Sequence, residues 1–330
     1  RFAERVGDDE RLVQLYLLSL CDAAMTAPDN LGAWKADLLR ELFERARAWF
    51  RGAPGAAPDD TADHARARVL QVAGLGAAPI VDGFDPRLFT QLTPRQAARH
   101  VALVGQARQA PAPHVALEVH CYPLKGHSEL AIVAPDAPGV LAALAGALTA
   151  NRVDVLGAVL GAVQLADGSR LVADVFYVRD GKGAAIAEAD PRWARLAGDL
   201  GKLLGGPPAA VGALVAQRRA AGGLPARKTP EVATQIRIHD DSAQATIVEV
   251  STRDRPGVLH AITEALAELG LDISLAKVTT EGEMVADTFY VTRGGARLTG
   301  DTERAILIGR LAAALGLSAA AAEDAVGDIR

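Results

Sequence analysis

Apolar positions recur at helical spacing through roughly the first hundred residues, then switch to the alternation of strands. Leu12, Leu15, Tyr16, Ser19 and Leu20, with Leu17, Leu18 and Cys21 widening the face, predict a helix over 9–25. Pro28, Asp29, Asn30 and Gly32 should break it. A second helix is expected over 33–50, with Trp34, Leu38, Leu42 and Ala46 on one stripe. Residues 52–61 read as a linker by composition. Helices should follow over 62–74 and 94–107, the latter opened by the capping box of Thr93 and Gln96 with Pro94 at its first position. Past Pro111 and Pro113, Val115, Leu117 and Val119 alternate, as do Leu130, Ile132 and Ala134. Leu124 to His127 reads as the hairpin turn between them.

From there the chain repeats itself. Asp136, Pro138, Gly139, Val140 and Leu141 reappear in order as Asp254, Pro256, Gly257, Val258 and Leu259. Each copy follows a strand-like run and opens a helix-like run, the first to about 150 and the second over 256–269. Ala173-Asp174-x-Phe176-Tyr177-Val178 returns as Ala286-Asp287-x-Phe289-Tyr290-Val291, and Asp154 returns as Asp272. Strands are expected over 153–165 and 170–179 in the first unit, and over 234–239, 245–251, 271–280 and 284–293 in the second. Asp167-Gly168 and Glu281-Gly282 should turn the later hairpins. Closing helices follow, one carrying Trp193, Leu196, Leu200, Leu203 and Leu204, the other over 302–315. Residues 205–233 join the units and include a short helix over 209–220.

The order strand, strand, helix, strand, strand, helix places the chain in the α+β class. A strand–helix–strand–strand–helix core with a mixed sheet and helices on one face is ferredoxin-like. No strand follows the last helix, so the extra strand before each signature strand is expected to take the vacant edge slot, giving a permuted ββαββα order.

Composition narrows the function. Half the residues are hydrophobic, enough for packed domains. The net charge of -5 argues against a nucleic-acid partner. Cys21 and Cys121 are too few for a disulfide scaffold or a zinc site, which fits a reducing cytoplasmic setting. The longest apolar stretch, 138–150, is too short to span a membrane. The chain begins with Arg inside a helical pattern, as a piece of a longer protein would. His64 and His100 are not at metal-ligand spacing, and no catalytic triad, phosphate loop or paired-carboxylate site stands out.

The signature turn has two readings. Asp ahead of Pro-Gly is a sound helix start, its carboxylate accepting first-turn amides. A helix N-terminus also suits a ligand carboxylate, and Asp136 or Asp254 could pair with an ammonium group. Together these match a free amino acid.

On these motifs the repeats resemble ACT domains, small modules that sense amino acids. With Leu15-Tyr-Leu-Leu-Ser-Leu-Cys-Asp22 and Ala33-Trp-Lys-Ala-Asp-Leu-Leu-Arg-Glu-Leu42 before them, nearly the whole chain resembles the C-terminal part of the bifunctional uridylyltransferase/uridylyl-removing enzymes. These modify the PII nitrogen-signalling protein. The resemblance implies the last helices of an HD-type phosphohydrolase domain over 1–51 and a helical linker region over 52–112. ACT domains over 113–206 and 234–318 would flank a linker over 207–233, with a tail over 319–330. It turns Asp22, otherwise a capping or surface acid, into the last metal ligand of an HD site. The other ligands, a divalent Mg or Mn ion and the nucleotidyltransferase elements would belong to the full-length parent; the ACT repeats themselves require no cofactor. It implies control of PII uridylylation and deuridylylation by glutamine or another small amino acid, and a possible homodimer through the ACT domains.

The residues expected to hold the ligand are Asp136, Pro138, Gly139, Val140, Asn151 and Asp154 in the first unit. In the second they are Asp254, Pro256, Gly257, Val258, Gly270 and Asp272. The ligand is expected at a seam between a signature turn and the neighbouring unit. Two rivals are a free-standing ACT-repeat regulator and an independent HD-type hydrolase; the single candidate ligand argues against the second.

Overall fold

The computed structural model describes residues 2–26, 33–51, 62–207, 209–220, 233–239, 245–281 and 284–317. The breaker at 28–32, the linker at 52–61, the junction over 221–232, Gly282 of the second hairpin turn and the tail lie outside the described residues. So do the side chains of Trp34 and Leu38.

The N-terminal helices are α1 (Phe2–Val6), α2 (Asp9–Thr26) and α3 (Ala33–Phe50). α2 and α3 pack as a hairpin. The Tyr16 and Phe43 rings stack at 4.3 Å, and Arg47 donates to Asp9 at 3.1 Å. α3 reaches the turn Pro123–Lys125 at the edge of the sheet.

Four helices follow: α4 (Ala62–Ala73), α5 (Ala78–Val81), α6 (Pro86–Gln91) and α7 (Pro94–Gln109). The capping box of α7 is present, Thr93 accepting from the Gln96 amide and the Gln96 side chain reaching back. These helices do more than link. Val69, Leu88, Phe89, Val101 and Val104 share a core with Ala131, Val133, Ala173 and Val175, the strand positions facing away from the repeat's own helices. A polar clamp fixes α7 to the same strands. Gln96 Nε2 donates to Glu129 at 2.8 Å and to the Tyr177 hydroxyl at 3.0 Å, and Arg99 pairs with the buried Glu129.

The repeats build one sheet. The first contributes β1 (Ala116–Tyr122), β2 (His127–Pro135), β3 (Val153–Val159), β4 (Ala162–Gln164) and β5 (Arg170–Asp180); the second contributes β6 (Gln235–His239), β7 (Thr246–Arg253), β8 (Asp272–Glu281) and β9 (Met284–Thr292). The strand order is β1-β2-β5-β3-β8-β9-β7-β6, with β4 paired to β5. β1 and β6 occupy the outer edges beside β2 and β7, which is the permuted ferredoxin-like order. The expectation of a mixed sheet is corrected: every ladder is antiparallel. A hairpin partner must run antiparallel, and the helix crossovers skip over a strand rather than joining neighbours.

The repeats meet edge to edge where β3 pairs β8, Gly157 against Thr279 and Val159 against Lys277. The Thr280 hydroxyl donates to the Val155 carbonyl at 3.1 Å across this join. On one face lie α8 (Val140–Ala150), α9 (Arg192–Leu203), α10 (Ala209–Ala220), α11 (Val258–Glu268) and α12 (Asp301–Leu315). α8 packs on α9, α10 and α11, so the helix layer is also continuous across the join. Leu144, Leu148, Phe176, Ile262, Leu266 and Phe289 belong to one apolar core spanning both repeats. Gly146 permits a close helix approach: a Cβ there would lie 2.2 Å from Val211 Cγ1.

The expectation of helices on one face holds for the second repeat and is corrected for the first, which carries α4–α7 behind its sheet. The sequence explains the difference. The first repeat turns Ala131, Val133 and Val175 backward, whereas the second turns Glu249, Ser251 and Thr288 backward.

Candidate functional site

Each signature turn is a type II β-turn. The Val140 amide donates to the Ala137 carbonyl at 3.0 Å, with Gly139 at φ 78° and ψ 6°. The Val258 amide donates to the Arg255 carbonyl at 3.1 Å, with Gly257 at φ 87° and ψ 10°. The third position of such a turn needs positive φ, which Gly adopts without a Cβ penalty, and the fixed φ of Pro suits the second. The reading of Asp as a helix cap is therefore corrected. Gly139 and Gly257 are the N-caps, and no side chain caps either helix. α8 and α11 accordingly start two residues after the prolines. Asp136 lies ahead of its turn and faces Arg170 at 3.0 Å.

Both turns border hollows at the seam, each closed by the other repeat. The hollow at the second turn is lined by Asp254, Pro256, Gly257 and Val258 from its own repeat, and by Arg152, Val153, Asp154 and Val155 from the first. The hollow at the first turn is lined by Asp136, Pro138, Gly139 and Val140, with Leu271, Asp272, Ile273 and Ser274 arriving from the second. The contributed segments are equivalent, so the two hollows are related by the internal repeat. Their sizes differ, about 110 Å³ at the second turn against about 590 Å³ at the first. The smaller still holds several groups of water size, each needing roughly 10–15 Å³.

Ten of the twelve expected ligand positions thus line the hollows. Asn151 and Gly270 do not. The Asn151 amide is buried and donates to Asp199 at 2.8 Å and to the Ala147 carbonyl at 3.0 Å, tying the end of α8 to α9. Gly270, at φ 66°, carries the chain from α11 into β8. Asp154 lines its hollow while accepting from Arg179 at 2.9 Å. Asp22 is exposed on α2, and among the described residues no His, Cys, Asp or Glu cluster could hold a metal ion. These residues do not fit a divalent-metal site.

The structure adds Asp174, Asp287 and Arg152. Asp174 and Asp287 lie under the first and second turns, 3% and 2% exposed, on strand positions otherwise pointing apolar residues at the helices. Asp174 accepts from the Gly161 amide and Asp287 from the Thr279 amide, both at 3.1 Å. Burial pushes each carboxyl up to about 8; the amide bonds oppose this, and the charges of Asp136 and Asp254 add to it. Both acids therefore hold a proton at neutral pH. The signal was present in the repeated Ala-Asp-x-Phe-Tyr-Val strand, where an acid falls at an inward position. Arg152 had none, because it enters from the neighbouring repeat.

An edge-joined pair of permuted ferredoxin-like repeats with ligand-sized hollows at their seam defines a tandem ACT-domain arrangement, and residues 246–296 match the ACT domain family. The homologues of the chain are bifunctional uridylyltransferase/uridylyl-removing enzymes. It is 30% identical to that of Gluconobacter oxydans over 88% of this chain and 30% of the relative. It is 32% identical to that of Phenylobacterium zucineum over 95% of this chain and 33% of the relative, and 33% identical to that of Rhodospirillum rubrum over 88% and 31%. The chain spans about a third of the length of these relatives. No solved structure matches it. No helix among the described residues is long and apolar enough to cross a membrane.

Proposed function

We propose that the chain is the glutamine-sensing regulatory region of a PII uridylyltransferase/uridylyl-removing enzyme. The carrying observation is the hollow at the second turn, where a helix N-terminus without a side-chain cap, an acid pair and an arginine from the other repeat converge. A free amino acid presents opposite charges on adjacent atoms. Its carboxylate would meet the first-turn amides of α11 or Arg152, and its ammonium would meet the acid pair.

Because each hollow is walled by both repeats, a ligand binds a particular packing of α8 against α11. It can shift an equilibrium between packings only by its difference in affinity for them. The path outward runs through Asp174 and β5 to α7, and through the turn Pro123–Lys125 to α3. In this reading high glutamine favours removal of UMP from PII, low glutamine favours its addition, and the catalytic residues lie elsewhere in the parent enzyme.

The direct test is the thermal midpoint of the chain with and without L-glutamine. A concentration-dependent rise that disappears in Asp254→Ala is expected. No rise at millimolar glutamine would remove the sensing assignment.

A further inference from the structure

Asp287 is a group that neither the turn motif nor the resemblance assigns. It is 2% exposed, and its Oδ2 has no hydrogen-bond partner among the described residues. A buried carboxyl oxygen without a partner is costly unless a ligand or another group satisfies it. The atom belongs to a residue lining the hollow under the second turn, beside Asp254. Its other oxygen is fixed by the Thr279 amide at 3.1 Å, so the carboxyl plane is set before any ligand arrives.

We infer that Asp287 is the ammonium-binding residue of the second seam, exchanging its own proton for the ammonium group of an α-amino acid. This deepens the proposed function and rests on it. In the empty site the carboxyl is protonated, since burial, opposed by the Thr279 amide and reinforced by the Asp254 charge, raises it to about 8. An arriving R–NH3+ supplies the positive charge that burial otherwise denies a carboxylate. Asp287–COOH then becomes Asp287–COO−, paired with the ammonium, and the released proton passes to the buffer. No bond other than O–H is broken, and net charge balances. The remaining ionisable groups lining this hollow are Arg152, Asp154, Asp254 and Arg255. Asp154 is engaged by Arg179, and Arg255 donates to the Ala314 and Leu315 carbonyls at the end of α12.

At the first seam an ammonium near Asp136 would meet the Arg170 guanidinium, 3.0 Å from that carboxylate.

The test is calorimetry of L-glutamine binding to the 330-residue chain in two buffers of different ionisation enthalpy at pH 7. Wild type should release about 0.9 proton per glutamine, and its affinity should rise about tenfold from pH 6 to pH 7, levelling above the carboxyl's value of about 8. Asp287→Asn keeps the acceptor for Thr279 and should bind about tenfold to a hundredfold more weakly with no proton release. Asp174→Asn should keep both binding at the second seam and its proton release. Glutaric acid monoamide, which is glutamine without its α-amino group, should not bind. Buffer-independent heat in wild type overturns the inference without needing any variant, and so does wild-type affinity in Asp287→Asn. Loss of proton release in Asp174→Asn alone also overturns it. Absence of any glutamine binding to wild type overturns the sensing assignment itself.

Discussion

Replacing Asp174 by Asn isolates the energetic cost of an acid buried under a signature turn. The side chain is 3% exposed and accepts one backbone amide at 3.1 Å, an acceptor that Asn retains. Folding moves its carboxyl from 3.8 to about 8. The folded state thus holds a proton that the unfolded chain has already lost between about pH 4 and pH 8. Stability must fall as pH rises through that window, by up to about 1.4 kcal/mol per pH unit for this one group. The upper bound for the whole window is about 6 kcal/mol, since local opening can relieve a buried charge at lower cost. Asn has no proton to lose. Urea unfolding of wild type and Asp174→Asn, followed by circular dichroism near pH 5.5 and near pH 7.5, reads the difference. The variant should gain up to about 3 kcal/mol on wild type between these conditions. A difference that stays constant with pH would show that Asp174 is ionised in the folded protein and refute the reasoning.

Other substitutions probe the frame that holds the seam. Gly146→Leu drives a side chain into Val211 and His260 where α8 meets α10 and α11, and should cost at least about 1–3 kcal/mol by thermal unfolding. Phe289→Ala empties a fully buried site in the shared core and should cost about 3–5 kcal/mol by urea unfolding. Thr280→Val removes the hydroxyl bond to Val155 across the seam; a loss of about 0.5–1.5 kcal/mol with unchanged circular dichroism is expected. Thr93→Ala removes the cap of α7, and a loss of about 1 kcal/mol should appear as faster amide exchange at the start of that helix.

Most elements were legible because periodicity reports burial directly. The helices over 9–26 and 33–50 and the strands of the second repeat sit within a residue or two of their sequence-based limits, whereas the single strand expected over 153–165 is split into β3 and β4. The region over 75–91 was not, since its helices are too short to show a period. Nor did the helical pattern over 62–109 reveal what it packs against: an apolar stripe gives the buried face and not the partner. The turn residues were legible as a repeat, yet one of their two readings, the helix cap, does not hold. Asp invites a capping reading, whereas the Pro-Gly pair is fixed by the dihedrals of a type II turn. Asp174 and Asp287 sat in a repeated motif that resembled ordinary strand, and only burial shows what they are. Arg152 could not be inferred from its own repeat, because the seam alone brings it to the second turn.

A crystal structure of the chain grown with saturating L-glutamine addresses the seam most directly. Ligand density between Asp254–Val258 and Arg152–Val155, with the ammonium on Asp287, is the expected result. Empty seams at saturation, or glutamine bound away from both signature turns, would contradict it.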